Sequence, residues 1–373
     1  MHYVIGDVHG CYDEMMALLH RIEKEDADAR IIFVGDFVDR GPQVDKVLEW
    51  CLKNITVDGK YQSVRGNHEQ MVLEWYEEWL SWWDEGGFQH PRKELMPETY
   101  YDFSKWMDGM NLLTPEKLEP YMEFIKSLPY NKALEVESLW GKKNTFRIVH
   151  SFYEYEEVSE EEQQHSNLWK RIEYGNLGST EILVHGHTPT LNMDYIYWGV
   201  KDTKPGMVSY RLNDINVDGG CVFAKGFPMY PAMLCAIRLE DLEEIYAYSA
   251  EERFLQGAEE PIVETYQRER ARLYREKYLQ KESAHRQRLL KKLGNPEYEH
   301  IPDGEIVIPE TVKYEVGEMV VFRVGEEEYT GVIDAVHLFG SMDYQGQPCY
   351  DIEVELEEEY RLYKSVPEMN IVK

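Results

Sequence analysis

Residues 31–41 read IIFVGDFVDRG, an apolar run that is followed at once by glycine and aspartate. Four other apolar runs in the chain end in a similar way, each on a residue that binds metals well. They are YVIGDVHG at 3–10, YQSVRGNHE at 61–69, FRIVH at 146–150 and ILVHGHT at 182–188. Short β-rich runs that end near glycine are typical of buried strands that open into loops. Because such strands end at one edge of a sheet, we expect their terminal side chains to converge there.

The two segments that separate the runs at 3–10, 31–41 and 61–69 have apolar residues at the spacing of amphipathic helices. Apolar residues recur at helical spacing in 13–23 and again in 43–53. Strand–helix–strand alternation predicts parallel pairing and an α/β layer fold. Residues 214–217 and 233–239 are predicted to be further strands, with the glycine pair 219–220 as a tight turn between them.

Three regions are predicted within the 373 residues. Residues 1–248 form the domain that contains all five runs, with a helical insertion at about 74–130 whose tryptophans pack against the body. Residues 251–293 form a long charged helix. Its stretch 268–292 has ten Lys or Arg against three Glu, a net charge of +7. Residues 310–373 alternate like short strands and are predicted to form a small β-rich C-terminal module.

The composition restricts the classes of function. A formal charge of −30 argues against a protein that binds nucleic acid through its whole surface. The five cysteines are scattered and form no CxxC pair, which favours a reducing cytoplasm over a disulfide framework or a zinc ribbon. No apolar run has the length of a membrane span, so we expect no membrane partner. We also expect no signal peptide, because the first candidate metal ligand is already at position 7.

Six side chains at the ends of the runs have the donor atoms of a site for two divalent metal ions. Asp7 and His9 alternate after one strand, so both can face the same ion. The carboxylate of Asp36 can bridge two ions that lie about 3.5–4 Å apart. The second ion has three further candidate ligands, an amide oxygen and two imidazoles: Asn67, His150 and His187.

A nucleophile, an acid and phosphate ligands can be assigned around such a pair of ions. A bridging water becomes a hydroxide near neutral pH and attacks phosphorus in line, without a covalent intermediate. His68 is placed to protonate the leaving alkoxide, and Asp39 can orient its ring and raise its pKa. Arg40 is the immediate candidate to bind the phosphoryl oxygens. Arg65 has two alternatives: it reaches the same centre, or it only supports the loop that follows it.

The motifs GDVHG, GDFVDRG and RGNHE resemble, in order and spacing, those of the PPP family of serine/threonine phosphatases. This family lies within the calcineurin-like metallophosphoesterase superfamily. The sequence blocks of eukaryotic members are missing after residue 187, so the likeness is to bacterial and phage-type members. The resemblance implies a β-sandwich flanked by helices and two divalent metal ions, with Mn²⁺ as the first choice and Fe, Zn, Ni or Mg as alternatives. Beyond the C-terminal end of this domain the resemblance does not extend.

The resemblance also implies a role for each motif residue. The first metal is expected on Asp7, His9 and Asp36, and the second on Asp36, Asn67, His150 and His187. LWKR at 168–171 is similar to the family's second phosphate-binding segment, which points to Arg171.

Two positions depart from the family's pattern. Ser151 and Phe152 follow His150 where the family often has a pair of small residues, which affects the shape of the pocket rather than the ligand. His185 stands where an apolar residue is more usual. Three interpretations of His185 stay open: a group behind the ligands, an alternative ligand, or plain packing. We expect His187 to be the ligand.

The first candidate function is a cytoplasmic phosphatase of phosphoserine and phosphothreonine in proteins. The alternative is a symmetrical diadenosine tetraphosphate (dinucleoside polyphosphate) hydrolase, because those enzymes share this motif set. A scaffold with an inactive phosphatase domain and an esterase of RNA ends or cyclic phosphates are further alternatives. The basic stretch 268–292 is either a solvated helix on an acidic body or a surface for a protein or RNA partner.

Overall fold

The computed structural model describes residues 1–84, 114–171, 179–190, 206–225, 232–247, 284–301, 313–314, 318–325, 327–337, 349–355 and 360–372. The chain divides into two compact units. One consists of Met1–Leu191 and Lys204–Ile301, and the other of Asn192–Thr203 and Pro302–Lys373. Across the described ranges, no helix is both long enough and apolar enough to span a membrane.

The first unit contains two five-stranded sheets. In the first sheet, three parallel strands are extended by two antiparallel ones in the order β10-β9-β1-β2-β3. These strands are β1 (His2–Ile5), β2 (Arg30–Phe33), β3 (Tyr61–Ser63), β9 (Leu234–Arg238) and β10 (Glu244–Ala247). Helices α1 (Tyr12–Glu25) and α2 (Val44–Asn54) connect the parallel strands, which confirms the strand–helix–strand prediction.

The second sheet has the order β4-β5-β6-β8-β7, in which β5, β6 and β8 are parallel neighbours. Its strands are β4 (Asn131–Glu137), β5 (Lys143–Val149), β6 (Ile182–His185), β7 (Ser209–Arg211) and β8 (Asp214–Asn216). The predicted strands at 214–217 and 233–239 correspond to β8 and β9. They lie in different sheets, so the tight turn predicted between them does not join a hairpin; residues Cys221–Lys225 after the glycines form a 3₁₀ helix.

The alternation of side chains along β1 and β2 shows how the layers stack. Tyr3 and Ile31 pack on one face of the sheet, in a buried cluster with the apolar face of α1. Val4 and Ile32 point to the other face, in a cluster that also contains Ile148 of the second sheet. Because successive strand residues face opposite sides, both faces of the first sheet are covered. The fold is the predicted α/β class, a β-sandwich flanked by helices.

The described part of the chain contains four further helices that flank the sandwich: α3 (Asn67–Asp84), α4 (Pro115–Ser127), α5 (Glu160–Trp169) and α6 (Ala284–Lys292). Trp75 and Trp79 of α3 are buried in the same cluster as Tyr3, Ile31 and the apolar face of α1, and their rings are stacked. These two tryptophans therefore pack against the body. The centre of the predicted insertion, residues 85–113, lies outside the described residues. The charged helix is described only from Ala284, and most of its basic stretch lies outside these ranges. Leu289 and Leu290 of α6 are buried against the second sheet's core.

The second unit contains an antiparallel sheet with the order β11-β12-β13-β14. Its strands are β11 (Met319–Val324), β12 (Glu327–His337), β13 (Cys349–Glu355) and β14 (Tyr360–Pro367). Phe322, Ile333, Tyr350 and Ile352 form a buried cluster of its own. The predicted β-rich C-terminal module is therefore present.

Candidate metal centre

The six predicted metal ligands lie at the ends of strands or in the loops just beyond them. Both sheets contribute: three strand ends of the first sheet (β1, β2 and β3) and two of the second (β5 and β6). Several of these loops have positive φ angles, which are uncommon for residues other than glycine and concentrate at functional sites. The residues with such angles in the loops are His9 (φ 42), Asp36 (φ 53), Asp39 (φ 68), Arg40 (φ 68) and His187 (φ 67).

Asp36 occupies the middle of the cluster. Its Oδ2 lies 3.4 Å from Nε2 of His9 and 3.4 Å from Nε2 of His150. Its Oδ1 accepts a hydrogen bond of 3.0 Å from the backbone N–H of His68. Gly66 permits this arrangement, because a Cβ at that position would lie 2.1 Å from the same Oδ1. A single carboxylate oxygen thus lies between two histidines from different sheets.

The ring orientations of His9 and His150 are fixed by backbone carbonyls. Nδ1 of His9 lies 2.7 Å from the carbonyl oxygen of Val38, and Nδ1 of His150 lies 3.0 Å from that of Val34. A carbonyl oxygen only accepts, so each Nδ1 carries the proton and each Nε2 presents a lone pair to the cluster. This is the arrangement of histidines that bind a metal ion through Nε2.

The three predicted ligands that belong to the second ion alone also lie close to one another. Nε2 of His150 lies 2.8 Å from Oδ1 of Asn67 and 3.1 Å from Nδ1 of His187. Nδ1 of His187 lies 3.0 Å from the same Oδ1. When His187 carries its proton on Nε2, all three atoms direct lone pairs at one point, where a cation would bind them. The ligating atoms of Asp36, His150 and His187 all lie within 4.8 Å of one another, and so do those of His9, Asp36 and His68.

Asp7 provides a further observation that fits a cation. Its Oδ2 accepts a hydrogen bond of 3.0 Å from the backbone N–H of His187, which joins the ends of β1 and β6. Its Oδ1 is buried and has no hydrogen-bond partner among the described residues. A buried carboxylate oxygen is costly without a partner. The six ligands therefore fit a pair of divalent cations with His, Asp and Asn donors.

The three imidazoles are in the protonation state that metal binding requires. Burial lowers the pKa of His9 to about 3 and that of His150 to about 3. Burial, together with the neighbouring His150, lowers the pKa of His187 to about 2. These rings are therefore neutral across the physiological pH range, and a neutral imidazole is the form that binds metals.

His68 and Asp39 form a close pair beside this cluster. Nδ1 of His68 lies 2.5 Å from Oδ2 of Asp39, and Nε2 lies 4.0 Å from Oδ2 of Asp36. Burial alone would lower the pKa of His68, but the charges of Asp36 and Asp39 outweigh it and raise that pKa. The ring is thus oriented by one carboxylate while its other nitrogen faces the centre. This geometry suits a proton donor.

Two of the three predicted phosphate-binding arginines contact the centre. Nη1 of Arg40 lies 2.5 Å from Nε2 of His9, and its guanidinium lies 5.7 Å from the ring centroid of Phe223. The arginine cation therefore occupies the direction of the His9 lone pair. Nη1 of Arg171 donates a hydrogen bond of 2.8 Å to Oγ1 of Thr188, next to His187.

Arg65 is held by other contacts. Its Nη1 donates hydrogen bonds of 3.0 Å to Gln70 and 3.0 Å to the Tyr130 hydroxyl, and its Nη2 donates one of 2.8 Å to the Lys126 carbonyl. Its guanidinium also lies 4.6 Å from the centroid of the Tyr130 ring. These contacts favour the alternative in which Arg65 supports the loop between β3 and α3.

Arg65 and Arg40 are expected to respond differently to substitution. Arg65→Met should lower the free energy of unfolding by about 1–3 kcal/mol, because it removes three hydrogen bonds of a buried side chain. Arg40→Met removes an exposed side chain and should leave stability unchanged while it reduces kcat/KM. Urea unfolding and steady-state kinetics on both variants measure the two effects. If Arg65→Met kept full stability and lost activity instead, Arg65 would have to be assigned to phosphate.

His185 has both ring nitrogens engaged behind the centre. Nδ1 lies 2.9 Å from the carbonyl oxygen of Gly186, and Nε2 lies 2.8 Å from Oδ1 of Asp214 on β8. Both partners are oxygen acceptors, so neither nitrogen directs a lone pair at the ions. Of the three interpretations of His185, these contacts favour a group behind the ligands.

The Asp214 pair predicts a pH dependence of stability. Burial alone would raise the pKa of Asp214, but the charges of Arg211 and His185 outweigh it and lower that pKa. A lowered folded-state pKa means that this stabilisation is present above the unfolded pKa of about 4 and is lost as the pH falls below it. Asp214→Asn should therefore be less stable than the unmodified chain at pH 6, with the difference shrinking on acidification. Urea unfolding from pH 6 to pH 3 tests this, and a constant difference would contradict it.

Two further buried acids belong to the centre but were assigned no role from the sequence. Glu69 accepts hydrogen bonds from the backbone N–H groups of Asp36 (2.8 Å), Phe37 (2.8 Å) and Gly66 (3.0 Å), so it holds together the loops after β2 and β3.

Asp218, whose pKa is raised to about 6 chiefly by burial, lies in the loop after β8, and its charge acts on Asp7. The signal for Asp218 was present, because it too is an aspartate that follows a strand and precedes glycine.

Comparisons with known proteins bear on the family to which this chain belongs. Two curated relatives are named bis(5'-nucleosyl)-tetraphosphatase, symmetrical. The one from Neisseria gonorrhoeae is 38% identical over 72 residues, which is 19% of this chain and 25% of the relative. The one from Escherichia coli is 41% identical over 71 residues, which is 19% of this chain and 24% of the relative. The chain thus spans about a quarter of the length of these relatives.

Two solved structures are also similar. A metallophosphoesterase from Sphaerobacter thermophilus is 14% identical, with a TM-score of 0.38 over 72% of this chain and 98% of its own. A protein serine/threonine phosphatase from Saccharomyces cerevisiae is 13% identical, with a TM-score of 0.36 over 58% of this chain and 65% of its own. At these scores neither likeness bears on function. The family model described as calcineurin-like phosphoesterase matches residues 3–219, more than half of the chain. The chain therefore belongs to the calcineurin-like phosphoesterase family.

Proposed function

We propose that this chain is a PPP-type phosphatase of the bacterial and phage kind that hydrolyses phosphate monoesters. Phosphoserine and phosphothreonine in proteins are its first candidate substrates. The observation that carries the proposal is the pair formed by His68 and Asp39, with the second ring nitrogen of His68 directed at Asp36. An alkoxide is a poor leaving group, so a serine or threonine ester needs a proton donor at this position.

The residues divide the work of the reaction among them. Arg40 and Arg171 would bind the phosphoryl oxygens, where guanidinium groups form paired, charge-assisted hydrogen bonds. His68 would donate the proton from Nε2 to the leaving oxygen, while Asp39 holds Nδ1 and raises the pKa of the ring. The six ligands would hold two divalent cations, which supply an activated water and stabilise negative charge on phosphorus.

The donor set limits the choice of metal without fixing it. Three imidazoles, two carboxylates and one amide suit several divalent first-row ions, and availability then decides which is bound. We propose Mn²⁺ as the first choice, with Fe, Zn, Ni or Mg as alternatives. The described residues of the centre include no sulfur ligand, which separates it from thiolate-rich zinc sites.

Hydrolysis of symmetrical dinucleoside polyphosphates is the second candidate. The observation that favours it is the set of curated relatives, which are named for activity on bis(5'-nucleosyl)-tetraphosphate. There the leaving group is a nucleoside diphosphate, which departs without full protonation and depends less on His68. The catalytic groups are the same in both cases, so the two candidates differ in what surrounds the phosphate.

Release of phosphate and of nucleotide, with and without metal, separates these candidates. Phosphoserine and phosphothreonine peptides and diadenosine tetraphosphate are assayed side by side, first with Mn²⁺ and then with excess chelator. We expect chelator-sensitive turnover of the peptides, with the higher kcat/KM. A higher kcat/KM for the dinucleotide, with nucleoside diphosphate as product, would overturn the first candidate. Turnover that survives the chelator would contradict both.

Two further proposals concern the protein's location in the cell and its binding partners. We propose that the protein acts in the cytoplasm, where its scattered cysteines suit a reducing environment. We also propose, as the alternative to a solvated helix, that residues 268–292 bind an acidic protein or RNA. Binding of a labelled acidic peptide or RNA, measured against salt concentration, tests the second point: affinity that does not weaken with salt would contradict it.

A further inference from the structure

Three side chains with metal-binding atoms meet outside the centre described above. Cys11 stands just before α1, Glu14 lies in the first turn of that helix, and Cys221 begins the 3₁₀ helix Cys221–Lys225. Their ligating atoms all lie within 4.8 Å of one another. The side chains are buried, with exposed fractions of 6%, 9% and 3%. Residues distant in sequence are thus brought into one small buried cluster.

The chemistry of this cluster differs from that of the dinuclear centre. Two of its three ligating groups are thiols, those of Cys11 and Cys221. Glu14 places a carboxylate on a face of α1 that otherwise buries apolar residues such as Met15 and Leu18. Two sulfurs and one carboxylate oxygen are a donor set that a borderline-soft cation prefers to Mg²⁺ or Mn²⁺.

The spacing also suits a small tetrahedral ion. Zinc–sulfur bonds of about 2.3 Å place two sulfurs of a tetrahedral site about 3.8 Å apart. Separations of at most 4.8 Å therefore need only a small contraction. Sγ of Cys11 contacts the backbone beside the centre, at 3.8 Å from the carbonyl oxygen of His9. None of the three side chains is among the six ligands of the dinuclear centre.

We propose that Cys11, Glu14 and Cys221 form a third metal site, which binds one thiolate-preferring divalent cation, with Zn²⁺ as the expected ion. Binding displaces both thiol protons, so that two thiolates and one carboxylate hold the ion and water takes the fourth position. The ion would join the start of α1, which follows the loop of His9, to the segment that contains Phe223. It would thus fix two loops that flank Arg40.

Cobalt spectroscopy tests this site separately from the dinuclear centre. Metal-free protein under reductant is titrated with Co²⁺, and the thiolate-to-cobalt charge-transfer absorption in the near ultraviolet is recorded. Only a site with sulfur ligands gives this absorption, so filling of the His/Asp centre is silent in it. We expect a band that saturates at one equivalent. Absence of the band after the other sites are filled would overturn the proposal.

Variants assign the band to its ligands. Cys11→Ser and Cys221→Ser should each lose the band, and Glu14→Gln should weaken it. Cys51→Ser, which changes a buried cysteine on α2, should leave it unchanged. A band that survives in both Cys11→Ser and Cys221→Ser, or that is lost in Cys51→Ser, would overturn the assignment.

A measurement on the unmodified chain covers the case in which a variant does not fold. Alkylation by iodoacetamide, located by mass spectrometry, is followed with and without Zn²⁺. We expect Zn²⁺ to slow labelling of Cys11 and Cys221 relative to Cys51 and Cys349. Equal protection of all cysteines would overturn the proposal. A disulfide between Cys11 and Cys221, seen as a loss of two hydrogens in mass and located by peptide mapping, would also overturn it.

Discussion

Asp36→Asn should reduce turnover of phosphate esters by about 10³-fold or more, because the loss of several kcal/mol of transition-state stabilisation corresponds to several factors of ten in rate. Oδ2 of Asp36 lies between the Nε2 atoms of His9 and His150, so one substitution affects both halves of the centre. An amide can present only one neutral oxygen and cannot bridge two cations as a carboxylate does. Phosphate release at saturating Mn²⁺, together with metal content by mass spectrometry, measures the effect.

Asp28→Asn is the matched control for this prediction. It makes the same change at an exposed position after α1, away from the centre, and should keep both metals and full activity. If Asp36→Asn retained two metals and normal turnover, Asp36 could not be the bridging ligand. The proposed arrangement of the six ligands would then be wrong.

His68→Asn should lower kcat for a phosphoserine peptide by about 10²–10⁴-fold, which is the range expected for loss of a general acid. The effect should be much smaller for p-nitrophenyl phosphate, whose leaving group needs little protonation. Metal content should be unchanged, because His68 is held by Asp39 and is not among the six ligands. Steady-state kinetics on both substrates, with metal analysis, test these points.

The dependence on the leaving group distinguishes an acid from a structural residue. His165→Asn, at an exposed position on α5, should leave both substrates unaffected and serves as the control. An equal loss on the two substrates would show that His68 acts by positioning or by metal binding instead. In that case the pair with Asp39 would not carry the proposed function.

Much of the fold could be predicted because its signals are local. The apolar runs that form β1, β2 and β3 are short, end near glycine and alternate with helical patterns, so both strands and parallel pairing follow from the sequence. The partners of β8 and β9 could not be predicted in this way. Only about twenty residues separate these strands, yet they lie in different sheets, because long-range packing rather than turn chemistry decides their neighbours.

The candidate site, like the fold, could be predicted only where its signals are local in the sequence. The ligands stand next to strand ends, so their convergence could be expected from the sequence. The contacts of Arg65 and His185 could not, because they depend on Tyr130 and Asp214, which are distant in the chain. Glu69 was visible as the last residue of RGNHE, but its role as an acceptor for four backbone N–H groups depends on two loops that only the fold brings together.

We expect one carboxylate, that of Asp36, to join two metal ions. Electron paramagnetic resonance of the metal-free protein loaded with two equivalents of Mn²⁺ tests it most directly. Two Mn²⁺ ions bridged at about 3.5–4 Å are exchange-coupled, so we predict the complex multiline spectrum of a coupled pair, and its loss in Asp36→Asn. A spectrum that contained only isolated six-line Mn²⁺ signals at two equivalents would contradict the account.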